Sequence, residues 1–178
     1  RKQWEAKGEV FDYKQVIPKP IPSEKNFAHI PMLKPLHEYK KKDDQIGVTP
    51  VDPKKHEQAK SLLRIERLKG KSLPKLGQWN IGQPADLITW QKFFREEEGW
   101  PHPEEAGEAT TDILQALKKF EATMAELTQA AKKRPLCRFD IKYEAHFASL
   151  LPHLGPLRNF VKNFALRALA HLGNDDPE

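Results

Sequence analysis

Apolar residues recur at helical spacing in four stretches of this chain. The longest series is Ile113, Leu117, Phe120, Met124, Leu127 and Ala131. It alternates by four and three, which predicts one helix from about Asp112 to Lys133 with a continuous apolar stripe. Thr110 or Thr111 is placed to cap it, and Asp112 suits its positive end. Lys132, Lys133 and Arg134 suit its negative end, and Pro135 stops it. Leu87, Trp90, Phe93 and Phe94 predict a helix over 85–98, closed by Gly99. Ala59, Leu62, Ile65 and Leu68 predict another from Lys54 to Lys69, entered through Asp52-Pro53 and closed by Gly70. A last helix runs from Pro152 to about Leu172. Leu157, Val161, Phe164, Ala168 and Leu172 are expected on its inner face. Glu144 to Leu151 adds a helical turn or two.

Proline separates these stretches. Pro18, Pro20 and Pro22 each fix their own φ and push the preceding residue out of the helical region. Residues 9–36 are therefore extended or irregular, with a short turn near Asn26 to Leu33. Val16, Ile17, Ile21, Phe27, Ile30, Met32 and Leu33 are too many apolar residues for a free linker. The arm is expected to lie ordered against helices; the rival reading is a proline-rich ligand for an aromatic-lined groove. Residues 37–52 form a polar loop, and 71–84 a loop anchored by Trp79 and Ile81. The expected architecture is mainly α: an irregular bundle of four to five helices, with little or no sheet. An extended arm and polar loop occupy 1–52 and a helical domain 53–178, in one compact unit.

Both ends read as interrupted. Residues 1–7 look like the tail of a helix closed by Gly8. At the other end, Gly173 reads as a left-handed helix stop and Asp176-Pro177 as the start of a new helix. The chain is thus expected to be a piece of a longer protein whose last helix wants a partner.

Composition narrows the chemistry. The lone Cys137 excludes an internal disulfide and any multi-cysteine metal site, and its neighbours predict a buried, inert thiol. No run of about 18 apolar residues offers a bilayer span. The net charge of +5 is uneven. Residues 1–75 hold 18 Lys/Arg against 10 Asp/Glu, and 132–167 hold 8 against 2. Nucleic-acid binding through these blocks is one reading. Against it, the basic residues are scattered in turns and lack interleaved stacking aromatics.

The seven histidines include no pair spaced i, i+4 around a glutamate. No nucleophile signature and no glycine-rich phosphate loop occur. No metal or cofactor is expected, although a composite site from distant residues stays open. The densest polar and aromatic cluster is 134–144. If extended, it turns Arg138 and Asp140 to one side. There a guanidinium fixes loop carbonyls or pairs with a carboxylate; the competing reading is an anion site. The candidate binding surface is a groove between the arm and the final helix, near Asn26, Arg138, Tyr143 and His153. The expected function is a non-catalytic interaction or scaffold domain, with a protein partner or self-association through the last helix. The alternatives are an enzyme with a composite His/carboxylate site, and nucleic-acid binding.

Two resemblances bear on setting. Asn163 to Glu178, with Gly173-Asn174 at the turn, resembles the join between the two helices of a tetratricopeptide-type unit, although no second copy follows at a 34-residue period. The order of Gly8-Glu9, Pro20-Ile21-Pro22-Ser23-Glu24-Lys25-Asn26-Phe27-Ala28 with Pro31, Asp86-Leu87-Ile88-Thr89-Trp90-Gln91-Lys92-Phe93-Phe94, Arg134-Pro135-Leu136-Cys137-Arg138-Phe139, Pro152-His153-Leu154 and Leu166-Arg167-Ala168-Leu169 resembles a family of uncharacterised bacterial proteins. Those proteins usually begin with a membrane-anchoring helix. The resemblance implies a cell-envelope setting with the soluble part outside the cytoplasm, a cytoplasmic location being the alternative. Any membrane attachment would come through a segment absent from this chain. The family has no known activity, so no site residues follow from it.

Overall fold

A computed structural model describes residues 1–40, 49–66, 72–78, 81–141, 143 and 151–174. The chain is mainly helical, as expected. Two four-residue helices, α1 (Lys2–Glu5) and α2 (Tyr13–Val16), precede a series of 3-10 turns between Ser23 and Leu36. Two residues each of β1 (Tyr39–Lys40) and β2 (Thr49–Pro50) pair antiparallel, with Tyr39 opposite Pro50. The helical body follows: α3 (Pro53–Ser61), α4 (Leu87–Glu96), α5 (Ala109–Leu117), α6 (Glu121–Lys133) and α7 (Leu154–Gly173).

The centre of the body is α5, which packs against both α4 and α7. Its Ile113, Ala116 and Leu117 are fully buried. On α4, Trp90, Phe93 and Phe94 form an edge-to-face cluster with ring centroids 5.4–5.8 Å apart. Trp100 extends it, 4.8 Å from Phe94 and 5.6 Å from Phe120. Asp86 caps α4 by accepting from the Thr89 amide at 3.0 Å.

Four expectations need correction. The helix expected over 112–133 is interrupted by a 3-10 turn, Lys118–Phe120. There Phe120 meets Trp100, and Lys119 reaches over the same indole at 4.6 Å. The predicted stripe is otherwise buried through Leu127, but Ala131 is exposed. Its N-terminus also starts earlier, after Glu108, with no side-chain cap. Thr110 and Thr111 lie inside α5, and Thr110 Oγ1 instead donates to Asn174 Oδ1.

The helix expected over 54–69 stops at Ser61. Leu63 then takes a left-handed φ of 51° while its side chain is 1% exposed. Burial of a leucine outweighs the backbone strain. Asn163 on α7 holds the turn by donating to the Leu63 carbonyl at 3.3 Å. Leu68 and Gly70 lie outside the described residues, as do Trp79, most of Glu144–Leu151 and the turn at Asp176-Pro177.

The third correction concerns α7. Pro156, Phe160, Asn163, Leu166, Ala170 and His171 face inward. The residues expected inside are largely outside: Val161 is 66% exposed, Leu172 64% and Phe164 40%. This helix carries two apolar stripes, and the sequence pattern does not say which one wins the core. Gly173 likewise ends α7 without a left-handed φ. A Cβ there would lie 2.7 Å from Thr110 Cγ2, so close approach to α5 calls for glycine. The last correction is the arm, which is buried only from Asn26 onward. Trp4, Val10, Phe11 and Val16 are each at least half exposed.

One buried ion pair holds the acidic loop after α4. Asp112, 1% exposed, accepts from Arg95 Nη1 at 3.0 Å and from Gln91 Nε2 at 2.8 Å. Arg95 Nη2 also donates to the Glu104 carbonyl at 2.8 Å. Removing one partner strands the other charge. Arg95→Ala is expected to cost about 3 kcal/mol in urea unfolding, the lower end for breaking a buried pair because the arginine is partly exposed. The pairwise replacement Arg95→Met with Asp112→Leu is expected to recover most of that loss.

Candidate functional site

Asn26 fastens the arm to the body. Its Oδ1 accepts from the Ala28 amide at 3.1 Å and from the Arg138 amide at 2.9 Å. Its Nδ2 donates to the Arg138 carbonyl at 2.8 Å. A short parallel bridge runs alongside, with the Phe27 amide donating to the Leu136 carbonyl at 2.7 Å. Arg134 adds a guanidinium contact to the Ser23 carbonyl at 3.0 Å. The arginine that fixes loop carbonyls is therefore Arg134. Arg138 pairs with a carboxylate: its Nη1 lies 3.8 Å from Asp140 Oδ1.

This fastening lays 134–141 across the 3-10 turns of the arm, and three histidines gather there. His29 and His37 stack with centroids 5.5 Å apart. Phe139 meets the edge of His37 at 5.3 Å and stacks on His153 at 4.1 Å, nearly parallel. Asp140 completes the group: its Oδ2 is 3.4 Å from His29 Nε2 and 3.7 Å from His37 Nδ1. His37 Nε2 lies 2.9 Å from the Ala28 carbonyl, an acceptor only, so that nitrogen carries the proton. In the neutral ring, His37 Nδ1 therefore turns a lone pair toward Asp140. His29 Nδ1 sits 3.1 Å from Ser23 Oγ, a hydroxyl that both donates and accepts, so either His29 tautomer satisfies this contact. Both inward nitrogens are buried and have no hydrogen-bond partner.

The expected site residues fare differently. Asn26, Arg138 and His153 do come together, the last through Phe139, but Asn26 spends three hydrogen bonds on backbone. Tyr143 is half-buried, and its amide bonds the Ile141 carbonyl at 3.1 Å. Sequence spacing does not point to His29 or His37, and it places Asp140 only beside Arg138. Their only visible signal is that Arg138 and Asp140 share one side of an extended segment. Among the other histidines, His56 packs structurally, 2.8 Å from the Pro35 carbonyl, and His102 is exposed. His146 lies outside the described residues. Cys137 is exposed, contrary to expectation. Partial desolvation nonetheless raises its pKa, which keeps the thiol protonated near neutrality.

A groove opens elsewhere, between α6 and α7. It has a volume of about 530 Å³ and is lined by Met124, Thr128 and Lys132 from α6 and by Phe164, Arg167 and Ala168 from α7.

Two predictions follow from the arm and its histidines. Asn26→Ala removes three hydrogen bonds and leaves the Arg138 amide and carbonyl unpaired. It should cost about 2–3 kcal/mol in chemical denaturation, and should speed hydrogen exchange at the Arg138 and Ala28 amides far more than in α5. Burial, aided by the neighbouring His37, lowers the His153 pKa below its usual 6.5. The unfolded chain then binds the proton more readily, so this contribution is complete above pH 6.5 and lost as pH falls below it. In EDTA, His153→Phe should flatten part of the stability slope on the acid side of that pH. Comparison with protein-family models, with curated proteins and with solved structures returns no match for this chain.

Proposed function

We propose that this chain is a non-catalytic interaction domain of a cell-envelope protein, and that it docks an amphipathic helix along the outer face of α7. The observation that carries the reading is the exposed stripe Val161, Phe164, Ala168 and Leu172, which borders the groove with α6. A solvated helix ordinarily turns polar residues outward, and an exposed apolar row beside a concave surface is the mark of a partner. The partner's charge is indicated as well. α7 carries Arg158, Lys162 and Arg167 and no carboxylate. A second copy would set these cations against one another, whereas a helix with acidic flanks would neutralise them. The envelope setting rests on the order of motifs described above. Among the described residues no helix is long and apolar enough to cross a membrane.

The test is fluorescence anisotropy with two labelled helical peptides, one with glutamates flanking a leucine stripe and one with lysines. The glutamate peptide should bind, and Val161→Glu with Phe164→Glu should weaken it at least about tenfold, or 1.4 kcal/mol, without lowering Tm. Equal binding of both peptides, a concentration-dependent dimer, or a preference for anionic vesicles would each sink the reading.

A further inference from the structure

We propose that His29, His37 and Asp140 form a binding site for one divalent transition-metal ion, with Zn2+ as the reference ion. The three donor atoms, one from each residue, lie within 4.8 Å of one another. Two edges of this triangle, 3.4 and 3.7 Å, already match the roughly 3.4 Å edge of a tetrahedron built on metal–ligand bonds near 2.1 Å. The third edge, between the two histidines, is no longer than 4.8 Å.

Burial and the placing of the donor atoms carry the argument. His37 is 2% exposed at its side chain, and its tautomer is fixed by the Ala28 carbonyl. A backbone carbonyl on the far ring nitrogen is the usual outer partner of a metal-bound histidine. Its Nδ1 and the His29 Nε2 are buried without hydrogen-bond partners, and both face a carboxylate oxygen. The His37 Nδ1 lone pair and the Asp140 carboxylate repel unless a cation, a proton or a metal ion, sits between them. Arg138 cannot serve, because it approaches the other oxygen of Asp140, at 3.8 Å. There it orients the carboxylate. The donor set of two imidazoles and one carboxylate suits zinc and its first-row neighbours, and does not suit the all-oxygen ions Ca2+ and Mg2+. Asp140 is 59% exposed on its side chain, so the ion has a path from solvent and a coordination position left for water. The ion joins the arm to the 134–141 segment at a second point beside Asn26.

The experiment uses the whole chain, stripped with EDTA and titrated with Zn2+ by calorimetry, with Co2+ absorption reporting the ligand field. Zn2+ should bind one to one and raise Tm, and Co2+ should give visible bands. Asp140→Asn is nearly isosteric at an exposed position and keeps the fold, so it separates ligation from folding. It should weaken binding by more than the roughly 100-fold that loss of an outer partner costs at most, and His29→Ala should do the same. The proposal fails if the native chain shows no saturable binding, or if both variants bind as the native chain does. It also fails if the group behaves as a proton bridge only. In that case Asp140→Asn would lose stability in acid while Zn2+ has no effect on either protein.

Discussion

Everything distinctive about this molecule depends on one amide side chain. Asn26 satisfies both backbone groups of Arg138 and caps its own turn at Ala28. An asparagine presents an acceptor and two donors from one planar group, so it imitates a strand partner where no strand exists. The register it imposes sets Phe139 between two histidine rings and turns Asp140 toward both inward nitrogens. Without it, the register at Arg138 would rest on the Phe27–Leu136 bridge and the Arg134 contacts, since apolar contacts are non-directional.

The helical body follows a different logic. Its order comes from aromatic burial around Trp90 and Phe94, both 1% exposed, and from α5 lying between two other helices. Polar groups inside it are few and paired with backbone or an opposite charge, as at Asp112 and Asn163. Its apolar surface is not fully used. α7 buries one stripe against α5 and shows the other to solvent, so the same helix serves both core and surface.

The sequence made the helical stretches legible where one apolar face was unambiguous. On α4, Trp90, Phe93 and Phe94 point inward as their spacing requires. On α7 the periodicity was equally clear, but two stripes competed and tertiary packing chose between them. The break at Lys118–Phe120 was invisible because it preserves the apolar rhythm; only Trp100, brought in from another segment, gives it a reason. Near the histidines the position was reversed. Asn26, Arg138, Tyr143 and His153 stood out at the groove expected between the arm and the final helix. His29 and His37 did not, because they lie eight positions apart on non-helical turns, where no repeat relates them. Their relation to Asp140 exists only after a contact between distant parts of the chain has formed.

That distance has a kinetic meaning. The bond from Asn26 to Arg138 joins residues 112 positions apart. Closing so long a loop before its interior is organised loses chain entropy with little return. The packing of α4 on α5 needs a far shorter closure, which loses less chain entropy. Local stability divides within the arm itself: the stretch before Asn26 is largely exposed, whereas Ile30, Leu33 and Leu36 are buried in the same core as α4 and α5. The histidine group therefore sits on turns that are themselves part of the core, and it comes apart only where that part of the core does.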